Sequence, residues 1–467
     1  MDVLRTALGH AETHLSGLGD RPVATPADLG AMRRALGGPI PDERQDPVAV
    51  IDLLVHGVAP GLVASPGPRY FGFVTGGAVP AALAADWLTA AWDQNAAFGV
   101  MSPATAVVEE IAADWVLQLL GLPARCSVGF VTGAQMANVT CLLAARHHVL
   151  AAAGWDDAAQ GLTGAPPIRV IVGAEAHVTL HAALRFVGLG AATAVVDVDE
   201  QGRLRPDALA AALARGGGPT IVCAQAGNVN TGACDPLEPI ADACARAGAR
   251  LHVDGAFGLW AATAPARRHL VAGADRADSW ATDGHKWLNV PYDSGIAATA
   301  HPDAHRAATA LTAAYLSAGG ELRDGSDWSP EASRRARGFA IWAAIRALGR
   351  QGIADLVERC CTLAMRMADQ LTAAPGVEVL NDVVLNQILV RFHPVAGDAD
   401  ACTDSVIAQV QSDGVCWVGG TVWNGKRAMR ISVSNWSTTE TDADRSVAAI
   451  LAGAAAASGP GPASPAL

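Results

Sequence analysis

Short runs of β-branched and apolar residues alternate with Ala/Leu-rich stretches from about Ala81 onwards. The runs predict strands at residues 127–131, 169–173, 193–198, 220–225, 250–254 and 295–300. Stretches of helical composition separate them, a pattern typical of βαβ units. It predicts an α/β fold with a mainly parallel central sheet flanked by helices. Such a sheet binds ligands beyond the carboxyl ends of its strands.

The whole sequence divides into four predicted parts. Residues 1–78 have helical composition with Pro and Gly breaks, which predicts an N-terminal arm able to wrap a partner subunit. Residues 79–340 contain the alternation and form the predicted large domain. Residues 341–454 combine helical segments with the strand-like runs VEVL, QILVRF and MRISVS, which predicts a smaller α+β C-terminal domain. The low-complexity tail at 455–467 is expected to be disordered.

Composition and charge argue against several classes of protein. The chain carries a net charge of −12, whereas a nucleic-acid-binding protein usually has a basic surface. It contains no run of about 18 or more apolar residues, so we expect no membrane span. The N-terminal sequence MDVLRTALGHAETHL lacks the apolar region and cleavage site of a signal peptide. Nine scattered cysteines without a C-x-x-C motif indicate reduced thiols and a cytoplasmic location.

The motifs HVDGAFG and DGHKW place two ionisable groups in weakly polar or apolar surroundings. Asp254 ends a predicted strand, and Lys286 lies between His285 and Trp287 in a chain that is only 17% charged. A lysine normally avoids the interior unless it is paired or reacts. Taken singly, each residue has a simpler interpretation: a cap or turn for the aspartate, and a surface position for the lysine.

The motifs AEAHVTLH and GFVTGAQMAN precede these two. His177 and His181 are four residues apart and could share a helix face. Val178, however, stands where the zinc motif H-E-x-x-H requires Glu, so no metal site is predicted. A core position is the simpler interpretation of either histidine. In GFVTGAQMAN a predicted strand runs through a small-residue turn into a helix, whose unpaired N–H groups can bind an anion.

Together the four motifs follow an order of parts that pyridoxal 5′-phosphate (PLP) chemistry can use. A lysine forms a Schiff base with the aldehyde of this cofactor. An aspartate keeps the pyridine nitrogen protonated, so that the ring accepts electrons. An imidazole or aromatic ring covers the cofactor face, and a helix N-terminus holds the phosphate.

With these motifs the chain resembles the group II PLP-dependent amino-acid decarboxylases of fold type I, which include aromatic-L-amino-acid, tyrosine, glutamate and diaminobutyrate decarboxylases. The resemblance covers residues 68–436 and implies a homodimer with a shared active site. It is carried by AH (176–177), HVDGA (252–256), HKW (285–287), YL (315–316), SRRARG (333–338), PRYFGFVTGG (68–77), GNVNTGACDPL (227–237) and MRISVSNW (429–436).

The resemblance implies four catalytic residues. Lys286 is the expected Schiff-base lysine, Asp254 the partner of the pyridine nitrogen, and His177 the ring that stacks on the cofactor. Tyr315 matches a mobile-loop tyrosine that enters from the neighbouring subunit. We expect Tyr315 to donate a proton at the α carbon of the substrate, helped by His177.

Further cofactor contacts are implied for Ala134, Gln135, Asn228, Ala256, Asp283 and His285. Ala134 and Gln135 match the phosphate turn, and Ala256 packs on the ring. Asn228 is our candidate for the contact with the 3-oxygen of the cofactor, because GNVN replaces a Gly-Thr-Thr pattern. Asp283 falls where the segment before the lysine reaches the phosphate, an unexpected place for an acid, which could instead cap or pair elsewhere.

Implied substrate contacts are Phe73, Val74, Thr75, Met101 and Arg334. The first three residues match the side-chain pocket of the family. Met101 matches the place where a neighbouring chain closes the site, and Arg334 matches the region of the substrate carboxylate. This mostly apolar set favours an aromatic or other apolar amino acid over glutamate.

The resemblance implies α-decarboxylation of an L-amino acid to the amine and CO2. Oxidative deamination to an aldehyde, carbon–carbon lysis and amino transfer on the same fold stay open. A non-catalytic homologue also stays open, although the intact Lys286, Asp254 and His177 argue against it. Tyrosine rather than phenylalanine at 315 favours decarboxylation over aldehyde synthesis.

Overall fold

The computed structural model describes residues 1–24, 27–311 and 322–458. Tyr315 and residues 459–467 of the predicted tail lie outside the described residues. The helices are α1 (Asp2–Ser16), α2 (Leu29–Leu36), α3 (Pro47–Val58), α4 (Pro80–Trp92), α5 (Pro103–Leu120), α6 (Ala134–Ala152), α7 (Asp157–Gln160), α8 (Val178–Phe186), α9 (Pro206–Ala214), α10 (Leu237–Ala247), α11 (Pro302–Thr309), α12 (Gly338–Thr372), α13 (Ala399–Asp413) and α14 (Glu440–Ser458).

The strands alternate with these helices in the first two thirds of the chain. They are β1 (Ser127–Val131), β2 (Arg169–Gly173), β3 (Thr193–Val196), β4 (Thr220–Gln225), β5 (Arg250–Asp254), β6 (Ser279–Asp283), β7 (Gly295–Thr299), β8 (Val377–Val379), β9 (Gln387–Phe392), β10 (Gly419–Trp423) and β11 (Lys426–Ser432).

The chain forms two compact units. The central unit contains Gly76–Thr362 and Asn381–Gln387. The terminal unit contains Met1–Thr75, Leu363–Leu380 and the chain from Ile388 onwards. None of the described helices is long and apolar enough to cross a membrane.

The central unit is built on a seven-stranded sheet in the order β1-β7-β6-β5-β4-β2-β3. The neighbours from β6 to β3 are parallel, whereas β7 runs antiparallel to both β1 and β6. This arrangement confirms the predicted α/β fold with a mainly parallel sheet. Strand β6 was not predicted, because its sequence SWATD mixes polar and small residues, yet all five residues are buried between β5 and β7.

The register aligns the carboxyl ends of the strands that carry the predicted site. Gly295 of β7 pairs with Val131 of β1 on one side and with Asp283 of β6 on the other. Asp254, the last residue of β5, pairs with Ala281 of β6. A side chain at 295 would lie 2.4 Å from the backbone of Gly133, so glycine permits the close approach of the turn that leads into α6.

Helix α6 packs on this sheet through small side chains. Ala137 and Cys141 of the helix form a buried cluster with Val131, Ala281 and Ala297 of three neighbouring strands. Small residues let the helix lie close to the sheet, so the N-terminus of α6 reaches the ends of β1 and β6. Burial raises the pKa of the Cys141 thiol to about 12, consistent with a packing role.

The terminal unit contains α1–α3, α13, α14 and a four-stranded sheet in the order β10-β11-β9-β8. The antiparallel pairs β10–β11 and β8–β9 confirm the small α+β C-terminal portion. Strand β10 was not predicted, since its sequence GGTVW begins with two glycines, which weaken a strand signal. Helix α14 continues to Ser458, into the segment expected as a tail.

Candidate active site

Lys286 lies three residues beyond the end of β6, at the carboxyl edge of the large sheet. Its side chain is 19% exposed, and Nζ lies 2.9 Å from Oδ2 of Asp283. Backbone hydrogen bonds from Gly284 and His285 to the carbonyl of Ser294 hold the intervening turn. The lysine is therefore fixed in a partly enclosed site with a carboxylate as its direct partner.

Lys286 is one of only two lysines in the chain, and the other is Lys426. Lys426 opens strand β11 of the terminal unit and is exposed. Because a covalent link to an aldehyde cofactor requires an amine, Lys286 is the one partly buried lysine that can supply it.

The carboxylate of Asp283 connects the lysine to the start of helix α6. Oδ1 accepts a hydrogen bond of 2.6 Å from the backbone N–H of Ala134, the first residue of the helix. Negative charge at a helix N-terminus is favourable, because the N–H groups there have no partner within the helix. The sequence places Asp283 near the phosphate without explaining an acid there; in the structure the residue caps α6 and pairs with Lys286.

Asp254 is a buried carboxylate at the end of β5. It accepts hydrogen bonds from Nδ2 of Asn138 at 3.1 Å and from the backbone N–H of Ala256 at 3.3 Å. Burial raises the pKa of Asp254, and the charges of His177 and Lys286 partly offset that rise. These three predicted catalytic residues therefore lie close enough for their charges to interact.

Asn138 and His252, which had no predicted role, form a buried chain of hydrogen bonds behind Asp254. Oδ1 of Asn138 lies 2.8 Å from Nε2 of His252, whose Nδ1 lies 2.9 Å from Oγ of Ser279. Burial lowers the pKa of His252 to about 3, so the ring is neutral. Since Asn138 donates to Asp254 through Nδ2, its Oδ1 accepts the Nε2 proton of His252.

A sequence signal for this chain of hydrogen bonds did exist. His252 and Asp254 are two apart on one strand and so face the same side. Asn138 is four residues after Ala134, so both lie on one face of α6. Their connection, however, depends on the packing of α6 against β5.

His177 immediately precedes α8 and caps it. Its Nδ1 lies 2.6 Å from Oγ1 of Thr179, and its backbone N–H donates to Oε1 of Gln225 at 3.2 Å. The side chain is half-buried. His177 therefore lies outside the helix that contains His181. The two histidines do not share a helix face, although their spacing of four residues allowed it.

His285 points toward the same carboxylate as Lys286. Its Nε2 lies 3.3 Å from Oδ1 of Asp283, and its Nδ1 accepts a hydrogen bond from the backbone N–H of Ser294 at 3.2 Å. Burial lowers the pKa of His285, which favours the neutral ring. Tyr292 stacks on this ring with 4.3 Å between the ring centres.

The other residues predicted to contact the cofactor differ in burial. Ala256 is half-buried beside Asp254, and Gln135 is exposed at the start of α6. Asn228 is buried, and its Oδ1 accepts hydrogen bonds from the backbone N–H groups of Asn230 and Thr231 at 2.8 and 3.2 Å. The side-chain oxygen of Asn228 is therefore engaged in its own turn, and its contact with the cofactor stays a prediction.

Arg334 is fully buried against Glu109. Its two terminal nitrogens lie 2.7 Å from Oε1 of that glutamate, and one of them also donates to the carbonyl of Ala96 at 3.1 Å. A substrate carboxylate would have to displace Glu109 to reach the guanidinium, so this geometry weighs against the predicted substrate contact. Met101, in contrast, is 54% exposed just before α5.

Phe73, Val74 and Thr75 lie in the terminal unit. Phe73 and Val74 have φ angles of +54° and +56°, a conformation that non-glycine residues rarely adopt and that often marks functional sites. The rings of Tyr70 and Phe73 both stack on Trp417, with centroid distances of 5.0 and 5.4 Å. Trp417 was not predicted; the unusual backbone at Phe73 and Val74 is supported by this stack.

The residues of the central unit fit PLP. A buried carboxylate without an ion pair among the described residues, Asp254, suits a protonated ring nitrogen. Lys286 supplies an amine, and the N-terminus of α6 supplies N–H donors for a phosphate. The turn before α6 has little spare room, since a side chain at Gly133 would lie 3.2 Å from the His285 ring.

Comparisons with known proteins show the family to which the chain belongs. The family model described as "Pyridoxal-dependent decarboxylase conserved domain" matches residues 30–393. Tryptophan decarboxylase 1 of Oryza sativa subsp. japonica is 29% identical over 411 residues, which cover 81% of this chain and 78% of that protein. Phenylacetaldehyde synthase of Arabidopsis thaliana is 25% identical over 434 residues, covering 89% and 87% of the two chains.

A solved structure shows the same fold. The crystal structure of Oryza sativa TDC with PLP and tryptamine superposes with a TM-score of 0.89 at 25% identity, and the alignment covers 97% of each chain. The fold, the family model and the structures solved with PLP identify PLP as the cofactor. The chain belongs to the pyridoxal-dependent decarboxylase family.

Proposed function

We propose that this enzyme removes the α-carboxylate of an aromatic L-amino acid as CO2 and releases the amine. The observation that supports the proposal is that Lys286, Asp254 and His177 lie at or just beyond the carboxyl ends of strands in the large sheet, close enough for their charges to interact. The rice relative is named for tryptophan, and the solved structure of Oryza sativa TDC contains PLP and tryptamine. Both names support an aromatic substrate for this chain.

PLP, when bound, supplies an aromatic ring that accepts the electrons of the bond to the leaving CO2. Asp254, whose carboxylate accepts a hydrogen bond from Asn138, would keep a proton at the ring nitrogen. Lys286 would anchor the cofactor and would take the place of the departing amine product. The N–H groups at the start of α6 would hold the phosphate, and the His177 ring would cover the cofactor face.

Proton delivery to the α carbon is assigned to Tyr315. A tyrosine hydroxyl can act as a general acid in a site from which water is excluded, and such a group typically contributes about 10² to 10⁴ in rate. His177 would hold the substrate and the hydroxyl in line. Tyr315 lies outside the described residues, so this role rests on the family resemblance.

Substrate selection is assigned to Phe73, Val74, Thr75 and Met101. Phe73 is 65% exposed, and its ring is held against Trp417 by stacking. A fixed aromatic face of this kind suits an aromatic side chain, because offset ring pairs are worth about 0.5 to 1.5 kcal/mol beyond area burial. Arg334 is bound to Glu109 and is not assigned to substrate here.

Aldehyde formation is the second candidate function. It is favoured by the relative named phenylacetaldehyde synthase, which matches more of this chain than the rice decarboxylase does, although at lower identity. In that reaction O2 would be consumed, and aldehyde, ammonia and hydrogen peroxide would replace the amine. The tyrosine at 315 supports the amine-forming reaction.

We further propose a homodimer whose N-terminal arm, residues 1–78, packs on the partner. Helices α1 and α2 have no buried residue in the single chain. Leu4 and Leu8 of α1 are 64% and 42% exposed, as expected for a face that a second subunit covers.

The proposed division also assigns residues 79–340 to PLP binding and residues 341–454 to the smaller domain. A cytoplasmic location is proposed because all nine cysteines are free thiols.

A panel of L-amino acids, assayed with the PLP-loaded enzyme, tests the proposed reaction. The panel should include tryptophan, tyrosine, phenylalanine, leucine and glutamate, with CO2, amine, aldehyde and hydrogen peroxide measured together. The proposal expects CO2 and amine in equal amounts from an aromatic substrate. Aldehyde with hydrogen peroxide would favour the second candidate, and turnover of glutamate alone would contradict the aromatic assignment.

A further inference from the structure

Asn289 joins the turn after Lys286 to the segment that leads into α4. Its Oδ1 accepts a hydrogen bond of 2.7 Å from the backbone N–H of Gly77, and its backbone carbonyl accepts the N–H of Val79 at 2.8 Å. On the other side, Nδ2 donates to the carbonyls of Lys286 and Trp287 at 3.2 and 3.1 Å. Asn289 is fully buried, so these bonds form without competition from bulk water. All of these residues belong to the central unit.

The segment that Asn289 holds comes close to the lysine and has little stiffness of its own. Gly76 and Gly77 are consecutive glycines, and glycine has more backbone freedom than any other residue. A side chain at Gly76 would collide with the carbonyl oxygen of Lys286, so the close approach requires glycine there. A flexible glycine pair therefore lies against the cofactor lysine, and the bond from Gly77 to Asn289 fixes it.

The glycine pair follows the residues to which substrate selection is assigned. Phe73, Val74 and Thr75 directly precede Gly76 in the chain. Phe73 and Val74 have positive φ angles, so the directions of their side chains depend on an unusual backbone that the flanking residues have to hold. Fixing the glycine pair beside the lysine therefore fixes the point in the chain from which these three residues extend.

We propose that Asn289 is a positioning residue for substrate selection. Its side chain sets the place of the glycine pair relative to the turn of Lys286, and through the chain it sets the residues that select the aromatic substrate. Asn289 acts through Gly77 and takes no part in the chemistry. This inference rests on the proposed function, because it takes Lys286 as the cofactor anchor and residues 73–75 as the selecting segment.

The variant Asn289→Gly removes the side-chain bonds and leaves the backbone unstrained. The φ angle of Asn289 is +54°, in the left-handed region that Asn and Gly adopt more readily than most residues. The turn that carries the lysine keeps its own support, since the N–H groups of Gly284 and His285 still donate to the carbonyl of Ser294. The variant therefore releases the glycine pair while the lysine keeps its place.

Steady-state kinetics of the PLP-loaded enzyme tests the proposal, with the aromatic amino acid that the panel identifies as the best substrate. In Asn289→Gly the KM should rise about tenfold, the factor that corresponds to the loss of one buried hydrogen bond. The kcat and the affinity for PLP should each stay within about threefold of the wild type, because the lysine and the reacting groups are unchanged. An unchanged KM with a lower kcat, as a merely structural role would give, would overturn the proposal. So would a PLP affinity that falls as much as the KM rises.

Two further variants separate the hydrogen bond from the substitution itself. Asn289→Asp keeps an oxygen that accepts the N–H of Gly77, so its KM should stay within about threefold of the wild type. A KM as high as that of Asn289→Gly would contradict the role given to this bond. Asn424→Gly is the matched control, because Asn424 also has a positive φ, +48°, and is exposed in the turn between β10 and β11. Its KM should equal that of the wild type, and a similar rise there would refute a specific role for Asn289.

Hydrogen–deuterium exchange gives a readout that does not depend on turnover. The peptide that contains Gly76 and Gly77 should exchange faster in Asn289→Gly than in the wild type, because exchange reports the local opening of hydrogen bonds. Equal exchange in the two proteins would show that the side chain does not hold the glycine pair and would overturn the proposal. Circular dichroism establishes that each variant is folded. A wild type that turns over no aromatic amino acid of the panel would count against the proposed function itself, whereas the exchange result is independent of the substrate.

Discussion

The side-chain oxygen of Asn138 lies 2.8 Å from Nε2 of His252, on the opposite side of the amide from its hydrogen bond to Asp254. One buried amide therefore joins a neutral histidine to the carboxylate proposed to hold the cofactor ring. The amide nitrogen of Asn138 donates to Asp254, and the amide oxygen accepts the Nε2 proton of His252. Asp254 is thereby held in one orientation before any cofactor binds.

Replacing Asn138 with leucine, of similar size, should disrupt this arrangement. Asp254 loses a donor and the Nε2 proton of His252 loses its acceptor, and each unsatisfied buried group costs about 1 to 3 kcal/mol of unfolding free energy. PLP affinity should fall as well, because the carboxylate is less fixed. Urea denaturation and PLP titration measure the two effects, and a variant that matched the wild type in both would contradict the role given to Asn138.

The pH dependence of stability should report His252. Its pKa is about 3 in the folded protein, below the usual value near 6.5 in an unfolded chain. The unfolded state therefore takes up the proton first, so the contribution of His252 is fully present above about pH 6.5 and is lost as pH falls toward 3. In that window the wild type should lose up to about 1.4 kcal/mol more unfolding free energy per pH unit than His252→Asn does. Urea denaturation at each pH measures the difference. Parallel pH profiles for the two proteins would contradict this account.

The buried pair between Arg334 and Glu109 predicts a large stability effect. Glu109→Gln leaves a fully buried guanidinium without its counter-charge, which should cost about 3 to 5 kcal/mol of unfolding free energy. The adjacent Arg335 provides the control, because its pair with Asp86 is partly exposed. Arg335→Gln should cost less than about 1 kcal/mol. Similar costs for the two variants in thermal and urea unfolding would argue against a structural role for Arg334.

Tyr315→Phe tests the assigned proton donor. Cofactor binding should be unchanged, while amine formation should slow by about 10² to 10⁴, since a general acid is lost. Part of the turnover should shift to aldehyde. The variant is assayed by amine and aldehyde yield with equal PLP loading, and amine formation at the wild-type rate would remove Tyr315 from the mechanism.

Much of the fold follows from local sequence patterns. Strands β1, β2, β4 and β5 have the predicted limits, because each contains at least two buried Val, Ile, Leu or Phe residues. Strand β6 has one large apolar residue, Trp280, between the polar ends Ser279 and Asp283. Their polar groups are satisfied by His252 and by Ala134, contacts that exist only after the sheet and α6 have packed.

Sequence patterns point to residues that could act through their own chemistry and give a weaker signal for residues that act through a neighbour. Lys286 and Asp254 stand out as ionisable groups at strand ends. Asn138 and His252 look like ordinary helix and strand residues, and only the tertiary contact gives them a role. Arg334 has the chemistry of a carboxylate binder, but Glu109 of the same chain already provides the carboxylate.

The central claim is that Lys286 carries the cofactor, and the site of attachment can be measured directly. The PLP-loaded enzyme is reduced with borohydride, digested and analysed by mass spectrometry. Because the chain has only two lysines, the reduced cofactor should be found on the peptide containing Lys286, and Lys426→Arg should leave this result unchanged. Cofactor mass on the Lys426 peptide, or retained long-wavelength absorbance in Lys286→Ala, would contradict the account.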